Sequence, residues 1–112
     1  MKLALQQPYQ QFFGTLANQV RLDIIEVLRN GKKNVSSIVD KLSYDQSTIS
    51  HSLRRLEECG FVTVEQKGTE RIYTLNEKTI KPLLSLMHTH MEKYCCKIVA
   101  HKTKGGRETC HT

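Results

Sequence analysis

The feature that most limits the fold of this chain is a change in the spacing of its apolar residues at Gly60. Before Gly60, residues such as Ile49, Leu53 and Leu56 recur at the spacing that buries one face of a helix. After it, apolar and polar residues alternate through residues 61–66 (FVTVEQ) and 71–75 (RIYTL), with KGTE between them. Alternation on both sides of a glycine-containing turn predicts a β-hairpin. The chain is therefore predicted to be mainly α with a β-hairpin (α+β).

About five helices are predicted, four before the hairpin and one after it. The first two cover residues 7–16 and 18–29, and Asn34 and Asp45 are suitable N-caps for the next two. The last runs from about residue 77 to about residue 100. Two short helices joined by a tight turn and followed by a two-stranded wing are typical of a winged helix-turn-helix. Residues 1–104 are predicted to form this domain, with residues 105–112 as a flexible tail.

Length and charge narrow the class of protein. A chain of 112 residues is large enough for one domain. Its net charge of +6 favours a polyanionic partner such as nucleic acid, although solubility alone is an alternative explanation. No apolar run approaches the roughly 20 residues of a membrane span, and QQPYQQ follows MKLAL without a signal-peptide core. We therefore expect a cytoplasmic protein with no membrane partner.

The exposed face of the fourth helix predicts contact with double-stranded DNA. With Ile49, Leu53 and Leu56 facing inward, short polar side chains and an arginine point outward, as in a recognition helix that enters the major groove. Two basic residues at the hairpin tip would meet the DNA backbone or minor groove. The predicted DNA-binding residues are Gln46, Ser47, Thr48, Ser50, His51, Arg54, Arg55, Lys67 and Arg71. The alternative explanation for any one of these residues is an ordinary solvent-exposed side chain that does not contact DNA.

The segments LANQVRLDIIEVL and STISHSLRRLEECGFVTVEQKGTERIYTL resemble the ArsR/SmtB family of small winged-helix repressors, over about residues 12–98. One departure is SHSL at residues 50–53, where Ser-Arg/Gln-His-Leu is usual in the family. The resemblance implies a homodimer that binds an inverted repeat and is released by an ion or an oxidant. A protein of this kind is expected to require no cofactor, and arsenite or another soft metal ion is the candidate inducer.

Two metal-site types of the family have poor counterparts here. One type has a Cys-Val-Cys triplet at the start of the third helix. This chain has Asn34-Val35-Ser36 at those positions, so both cysteines are missing. Glu77, Thr79, His90 and Lys93 stand where a second type places four ligands, and one of them is a cation. A third type uses an adjacent cysteine pair near the end of the last helix, which Cys95 and Cys96 resemble. The resulting candidates for metal binding or redox chemistry are Cys95, Cys96, Cys110, His90 and His101.

The last helix also carries an apolar stripe that predicts a dimer interface. On a helical wheel the stripe falls within about 60°, which suits pairing with a second copy. It consists of Ile80, Leu83, Leu84, Met87, Met91, Tyr94 and Ile98. Three explanations of the cysteine pair therefore stay open: packing at this interface, binding of arsenic or another soft metal, and a redox switch. Cys59, beside Gly60, is interpreted as a packing residue.

The alternatives to sequence-specific DNA binding are an enzyme, a protein-interaction module and a non-specific DNA-binding module. The sequence has no glycine-rich phosphate loop and no nucleophile elbow, so no enzyme is predicted. A winged helix used only for protein interaction would carry an acidic or apolar outer face on its fourth helix. A non-specific DNA-binding module would bind any duplex with a steep salt dependence.

Overall fold

The computed structural model describes residues 6–95. In chain order they form α1 (Gln6–Leu16), α2 (Gln19–Leu28), β1 (Lys33–Asn34), α3 (Val35–Lys41), α4 (Gln46–Glu58), β2 (Val62–Lys67), β3 (Glu70–Leu75) and α5 (Ile80–Tyr94). The chain divides into two structural units, Met1–Glu77 and Lys78–Thr112, and α5 belongs to the second. The predicted mainly helical α+β fold with a hairpin wing is confirmed.

The core of the first unit is built from the apolar faces that the helical spacing predicted. The buried apolar side chains of α2, α3 and α4 are Ile24, Ile25, Leu28, Ile38, Ile49, Leu53 and Leu56. Phe61 is fully buried directly after α4, and the ring of Phe12 from α1 stacks on it with 5.1 Å between ring centroids. The hairpin adds its inward-facing Val62, Tyr73 and Leu75. Burial of this continuous set of apolar groups stabilises the unit.

The end of α4 is fixed by a Schellman motif, which sets the direction of the chain into β2. The N–H of Phe61 donates to the Leu56 carbonyl at 2.9 Å, and the N–H of Gly60 donates to the Glu57 carbonyl at 3.0 Å. Gly60 has a φ of 76°, a conformation that favours glycine because it has no Cβ. The prediction that Gly60 ends this helix is confirmed.

The sheet contains one strand that the sequence pattern did not predict. β2 and β3 pair from Val62↔Leu75 to Lys67↔Glu70, which leaves Gly68 and Thr69 as a two-residue turn. β1 adds to the other edge of β3, so the sheet order is β1-β3-β2. A strand of two residues is too short to show alternation, so its apolar pattern carries no signal.

The helix α5 begins at Ile80 rather than at residue 77. Pro82 explains the difference, because proline lacks the N–H that a helix interior needs but is tolerated in the first turn. The helix ends at Tyr94, and the N–H of Cys95 donates to the Met91 carbonyl at 2.8 Å. The rest of the predicted extension to residue 100, and the predicted tail at 105–112, lie outside the described residues.

Candidate nucleic-acid interface

Helix α4 presents the outward face that its sequence predicted. Ile49, Leu53 and Leu56 are fully buried, and Ser52 is nearly so. The side chains of Ser47, Ser50, His51 and Arg54, predicted to lead into DNA, lie on the opposite, exposed face, and that of Gln46 is exposed at the first residue of the helix. Arg55 is half-buried at the edge of this face. Within the described residues Arg54 and Arg55 have no ion-pair partner, so both guanidinium groups are available to a ligand.

The N-terminus of α4 is held by its cap. The Asp45 carboxylate accepts a hydrogen bond from the backbone N–H of Thr48 at 2.9 Å. The hydrogen bond from the Thr48 side chain, followed by that from its N–H, lowers the pKa of the Asp45 carboxyl below its ordinary value of 3.8. Thr48 was predicted to contact DNA, and the structure places both its N–H and its side chain on this cap.

A second contact anchors the turn between α3 and α4 to the core helix α2. The Tyr44 hydroxyl donates to Oδ2 of Asp23 at 2.7 Å, and Nε2 of Gln19 donates to the other carboxylate oxygen at 2.8 Å. Donation to Asp23 favours the protonated phenol, so the pKa of Tyr44 is raised above 10.0. This link was not predicted from sequence, and it ties the entry to α4 to a buried helix.

The two basic residues of the wing point to opposite faces of the hairpin. Side chains alternate along a strand, and Lys67 pairs with Glu70 whereas Arg71 pairs with Gln66. The guanidinium of Arg71 lies over the Tyr73 ring, 5.9 Å from its centroid. Arg71 and Gln46 both line a cleft of about 230 Å³ between the wing and the start of α4, whereas Lys67 lines a different cleft.

The cleft between the wing and α4 also includes residues that sequence reasoning missed. Ser36 and Thr69 add hydroxyl groups, and Asn34 and Glu70 complete the polar part of the lining. Asn34 is the N-cap of α3, where its Oδ1 accepts from the Ser37 N–H at 2.8 Å, and its Nδ2 donates to Glu70 at 3.1 Å. The cap signal at Asn34 was visible in the sequence, but its second bond depends on β1 pairing with β3.

The predicted metal or redox residues are only partly within the described chain. Cys96, His101 and Cys110 lie outside it. Cys95 is half-buried at the C-cap of α5, and the imidazole of His90 packs on the Tyr94 ring at 4.9 Å between centroids. Among residues 6–95, no three His, Cys, Asp or Glu side chains form a group that could hold a metal ion. Cys59 contacts the Thr15 hydroxyl at 3.2 Å, in agreement with its interpretation as a packing residue.

The predicted interface residues of α5 differ in their exposure. Ile80 is buried within one chain, and Ile98 lies outside the described residues. Leu83, Leu84 and Met87 are half-buried, whereas Met91 and Tyr94 are exposed. Leu86 is 68% exposed although it falls outside the predicted stripe.

Helix α1 carries a second exposed apolar surface, which was not predicted. The stacked rings of Tyr9 and Phe13 are 58% and 54% exposed. The sequence did contain a signal for this surface. Tyr9, Phe12 and Phe13 lie within one short helix, and only one face of that helix can reach the core, so some of the three rings must be exposed.

The Asp45 cap makes the stability of this site depend on pH. Because folding lowers the Asp45 pKa, its contribution is fully present above the ordinary carboxyl pKa of 3.8 and is lost as pH falls through the lower folded value. We expect Asp45→Ala to lower the free energy of unfolding at pH 7, and the difference from the native chain to shrink on acidification below pH 4. Urea titrations at a series of pH values, at one protein concentration, measure this difference.

Asp45→Asn is the matched control, because asparagine caps a helix well but does not titrate. Its stability relative to Asp45→Ala should change little with pH. A constant difference between the native chain and Asp45→Ala down to pH 2 would contradict the assignment of Asp45 as an ionised cap.

Comparison with known proteins agrees with this architecture. Residues 18–64 match the family described as "Bacterial regulatory protein, arsR family". The chain is 34% identical over 110 residues to an "Arsenical resistance operon repressor" of Bacillus subtilis, covering 97% of this chain and 96% of the relative. No described helix has the length and apolar content needed to span a membrane.

Solved structures share the fold. The crystal structure of Rv0081 from M. tuberculosis matches with a TM-score of 0.79 and 24% identity, over 88% of this chain and 99% of that one. A homodimeric winged helix-turn-helix DNA-binding domain from Mycobacterium bovis matches with a TM-score of 0.70 and 24% identity, over 96% and 92% of the two chains. The family consists of regulatory proteins rather than enzymes. With its winged-helix fold and a relative matched over nearly its whole length, the chain belongs to the ArsR family of bacterial regulatory proteins.

Proposed function

We propose that this protein acts in the cytoplasm as a homodimeric repressor that binds an inverted repeat in double-stranded DNA. The observation that carries the proposal is the division of α4 into a fully buried apolar face and an exposed face of short polar groups and the arginine Arg54. A protein-interaction module has no need of that outer face. The Bacillus relative supports the regulatory role, since it is named as an operon repressor.

The exposed face of α4 supplies groups of the types that read base edges. Ser47, Ser50 and His51 can each exchange hydrogen bonds with bases or phosphates at short range. Arg54, one turn further along, has the forked guanidinium that bonds two acceptors of guanine in the major groove. Arg55 lies at the edge of the face, which suits contact with the DNA backbone. Gln46 and Arg71 would hold the backbone where the wing meets α4.

Dimer formation is proposed to use the exposed apolar surfaces of both α5 and α1. Met91, Tyr94 and Leu86 on α5, and Tyr9 with Phe13 on α1, are large apolar side chains left in contact with water. Exposed apolar side chains that lie side by side on one helix, as the stacked Tyr9 and Phe13 do, mark interaction sites in soluble proteins. A two-fold dimer would place two copies of α4 about one DNA turn apart, which matches an inverted repeat.

The inducer is proposed to be a thiol-reactive species that acts at Cys95 and Cys96, with Cys110 as a third thiol. Trivalent arsenic prefers soft thiolate ligands, and the Bacillus relative is named as the repressor of an arsenical resistance operon. Tyr94 is a proposed interface residue that His90 packs on, and it directly precedes Cys95 in the sequence. Reaction at the cysteines would therefore disturb the proposed dimer interface. The alternatives are a redox switch that oxidises these thiols, and packing alone.

Selection of duplexes from a random library tests the DNA-binding proposal. We expect the reduced full chain to enrich an inverted repeat and to bind it at least about 1,000-fold more tightly than random duplex. Sedimentation in the same buffer should give the mass of two chains. Equal affinity for all duplexes would instead indicate a non-specific DNA-binding module. Absence of any duplex binding would leave only an interaction module.

The selected operator then tests the inducer. Arsenite, zinc and peroxide are titrated in parallel against the complex of the reduced dimer, for the native chain and for Cys95→Ser/Cys96→Ser. We expect arsenite to release the native chain and not the double variant. Cys59→Ser is the control, because Cys59 is accounted for by its contact with Thr15. If none of the three agents changes the affinity, the cysteine pair only packs; release by peroxide alone would make it a redox switch.

A further inference from the structure

A cleft of about 420 Å³ on the flank of the wing gathers four lysines from three separate segments of the first unit. Lys32 precedes β1, Lys33 lies in β1, Lys41 is in the last turn of α3, and Lys67 ends β2. The remaining lining residues are Asn34, Ser37 and Ile72. Only Lys67 was singled out from the sequence, because the adjacent pair Lys32 and Lys33 is separated along the chain from Lys41 and from Lys67, and the three segments meet only after folding.

The charge in this cleft is unbalanced. None of its seven lining residues is acidic, and within the described residues no ion pair is formed by any of the four lysines. Two carboxylates lie on the same face of the hairpin without lining the cleft: Glu65 is paired with Ile72, and Glu70, paired with Lys67, accepts a hydrogen bond from Asn34 at 3.1 Å. Four ammonium groups of like charge around one cleft repel one another, and a polyanion would relieve that repulsion.

The lining indicates which polyanion fits. The cleft contains no aromatic ring and a single apolar residue, Ile72, so nothing in it would stack on a base or hold an apolar ligand. Lysine acts as a point charge toward phosphate, whereas base reading favours the fork of arginine. The chemistry is therefore recognition of phosphate charge without base recognition.

The position of the cleft favours DNA over a free phosphate compound. Asn34 lines both this cleft and the 230 Å³ cleft that contains Gln46 and Arg71, so the two adjoin at the junction of β1 and α3. Lys67 and Arg71, on opposite faces of the hairpin, contribute one to each. Because the second cleft contains Gln46 of α4, a duplex docked on α4 that reached this cleft would lie next to the lysines.

We propose that the lysine cleft, defined by Lys32, Lys33, Lys41 and Lys67, binds the phosphodiester backbone of DNA and adds sequence-independent affinity to that of α4. This inference rests on the proposed function, and it extends the DNA-contacting surface to three lysines beyond the recognition helix and the wing tip. Arg54 would set which sequence is bound, and the lysine cleft would set how strongly any duplex is held at a given salt concentration.

The test is the salt dependence of binding by the full-length dimer. For B-DNA, the slope of log K against log salt concentration is about −0.9 for each neutralised phosphate. We expect Lys41→Gln/Lys67→Gln to reduce the magnitude of the slope by about 1–2, equally on the selected operator and on a random duplex. The ratio of the two affinities should be unchanged. Thermal unfolding followed by circular dichroism establishes that each variant is folded.

Lys78→Gln/Lys93→Gln is the matched control, because it removes the same net charge from exposed positions outside the cleft. A slope equal in the cleft variant and the control would overturn the inference, since the effect would then be one of net charge. If the native dimer prefers no sequence, the proposed function fails, and the slopes on random duplex still decide whether the cleft binds phosphate.

Binding of inorganic tripolyphosphate to the native chain distinguishes a small polyanion from DNA. If tripolyphosphate binds and the cleft variant has an unchanged DNA slope, the cleft binds a small polyanion and the DNA assignment is overturned.

Discussion

Phe61→Ala is expected to remove a large part of the stability of the winged-helix unit. Phe61 is fully buried, stacks on Phe12 and donates its N–H to the Schellman motif that ends α4. Truncation of a buried phenylalanine to alanine costs about 3–5 kcal/mol through lost burial and the cavity that remains. Small domains have a total stability of only about 5–15 kcal/mol, so this loss is a large fraction of the total.

Urea denaturation followed by far-UV circular dichroism measures this loss, with every variant at the same concentration because a dimer gains stability by mass action. Phe61→Leu should lose less, since it keeps part of the apolar volume. Thr63→Ala, at an exposed position of the same strand, should stay within about 0.5 kcal/mol of the native chain. A loss in Phe61→Ala no larger than that in Thr63→Ala would show that the ring does not support the core.

The effect should extend to DNA binding, because Phe61 connects the two elements that are proposed to contact DNA. It follows the end of α4 and precedes β2, and its carbonyl accepts from the Asn76 N–H at 2.9 Å, which closes the far end of the hairpin. A duplex added at saturating concentration should recover part of the lost stability, since a ligand that binds only the folded state stabilises it.

Much of the fold was predictable because its local signals agree with its tertiary contacts. The spacing of Ile49, Leu53 and Leu56 predicted a buried face, and all three are fully buried. Asn34 and Asp45 cap the helices that they were expected to cap. The start of α5 was placed too early because Pro82 was not used as a limit on where the helix can begin.

The parts that were not predictable depend on residues that meet only in the folded chain. β1 is recognisable only through its pairing with β3, and that pairing places Asn34 beside Glu70. Tyr44 and Asp23 are separated by 21 positions in the sequence, and neither lies in a pattern that predicts their hydrogen bond. Surfaces assembled from several elements, such as the lysine cleft, leave no periodic signal along the chain.

The outward face of α4 was predicted directly from the sequence. A helix fixes the direction of every side chain once one face is known to be buried, so Ser50, His51 and Arg54 were placed on the outer face from spacing alone. The same reasoning grouped Thr48 with the DNA-binding residues. It could not predict the hydrogen bond between Thr48 and Asp45, which depends on the geometry of the helix cap.

Arg54→Ala is expected to weaken binding to the selected operator by about 1–3 kcal/mol, or roughly 5- to 150-fold in Kd, and to relax the preference for one base of each half-site. The reason is that Arg54 is exposed on α4 without an ion-pair partner among the described residues, so its guanidinium can bond two acceptors of one guanine. Binding to random duplex should change much less. Fluorescence anisotropy with operator, single-base variants of the operator and random duplex measures all three effects.

Arg54→Lys separates a base contact from a phosphate contact, because it keeps the positive charge and removes the fork. If Arg54 reads a base, the lysine variant should lose specificity almost as fully as the alanine variant while its salt slope stays near that of the native chain. If Arg54 contacts only phosphate, Arg54→Ala should lose affinity equally for operator and random duplex, and Arg54→Lys should restore most of it. The second result would move sequence reading to Ser47, Ser50 and His51, and it would leave Arg54 with the same role that we propose for the lysine cleft.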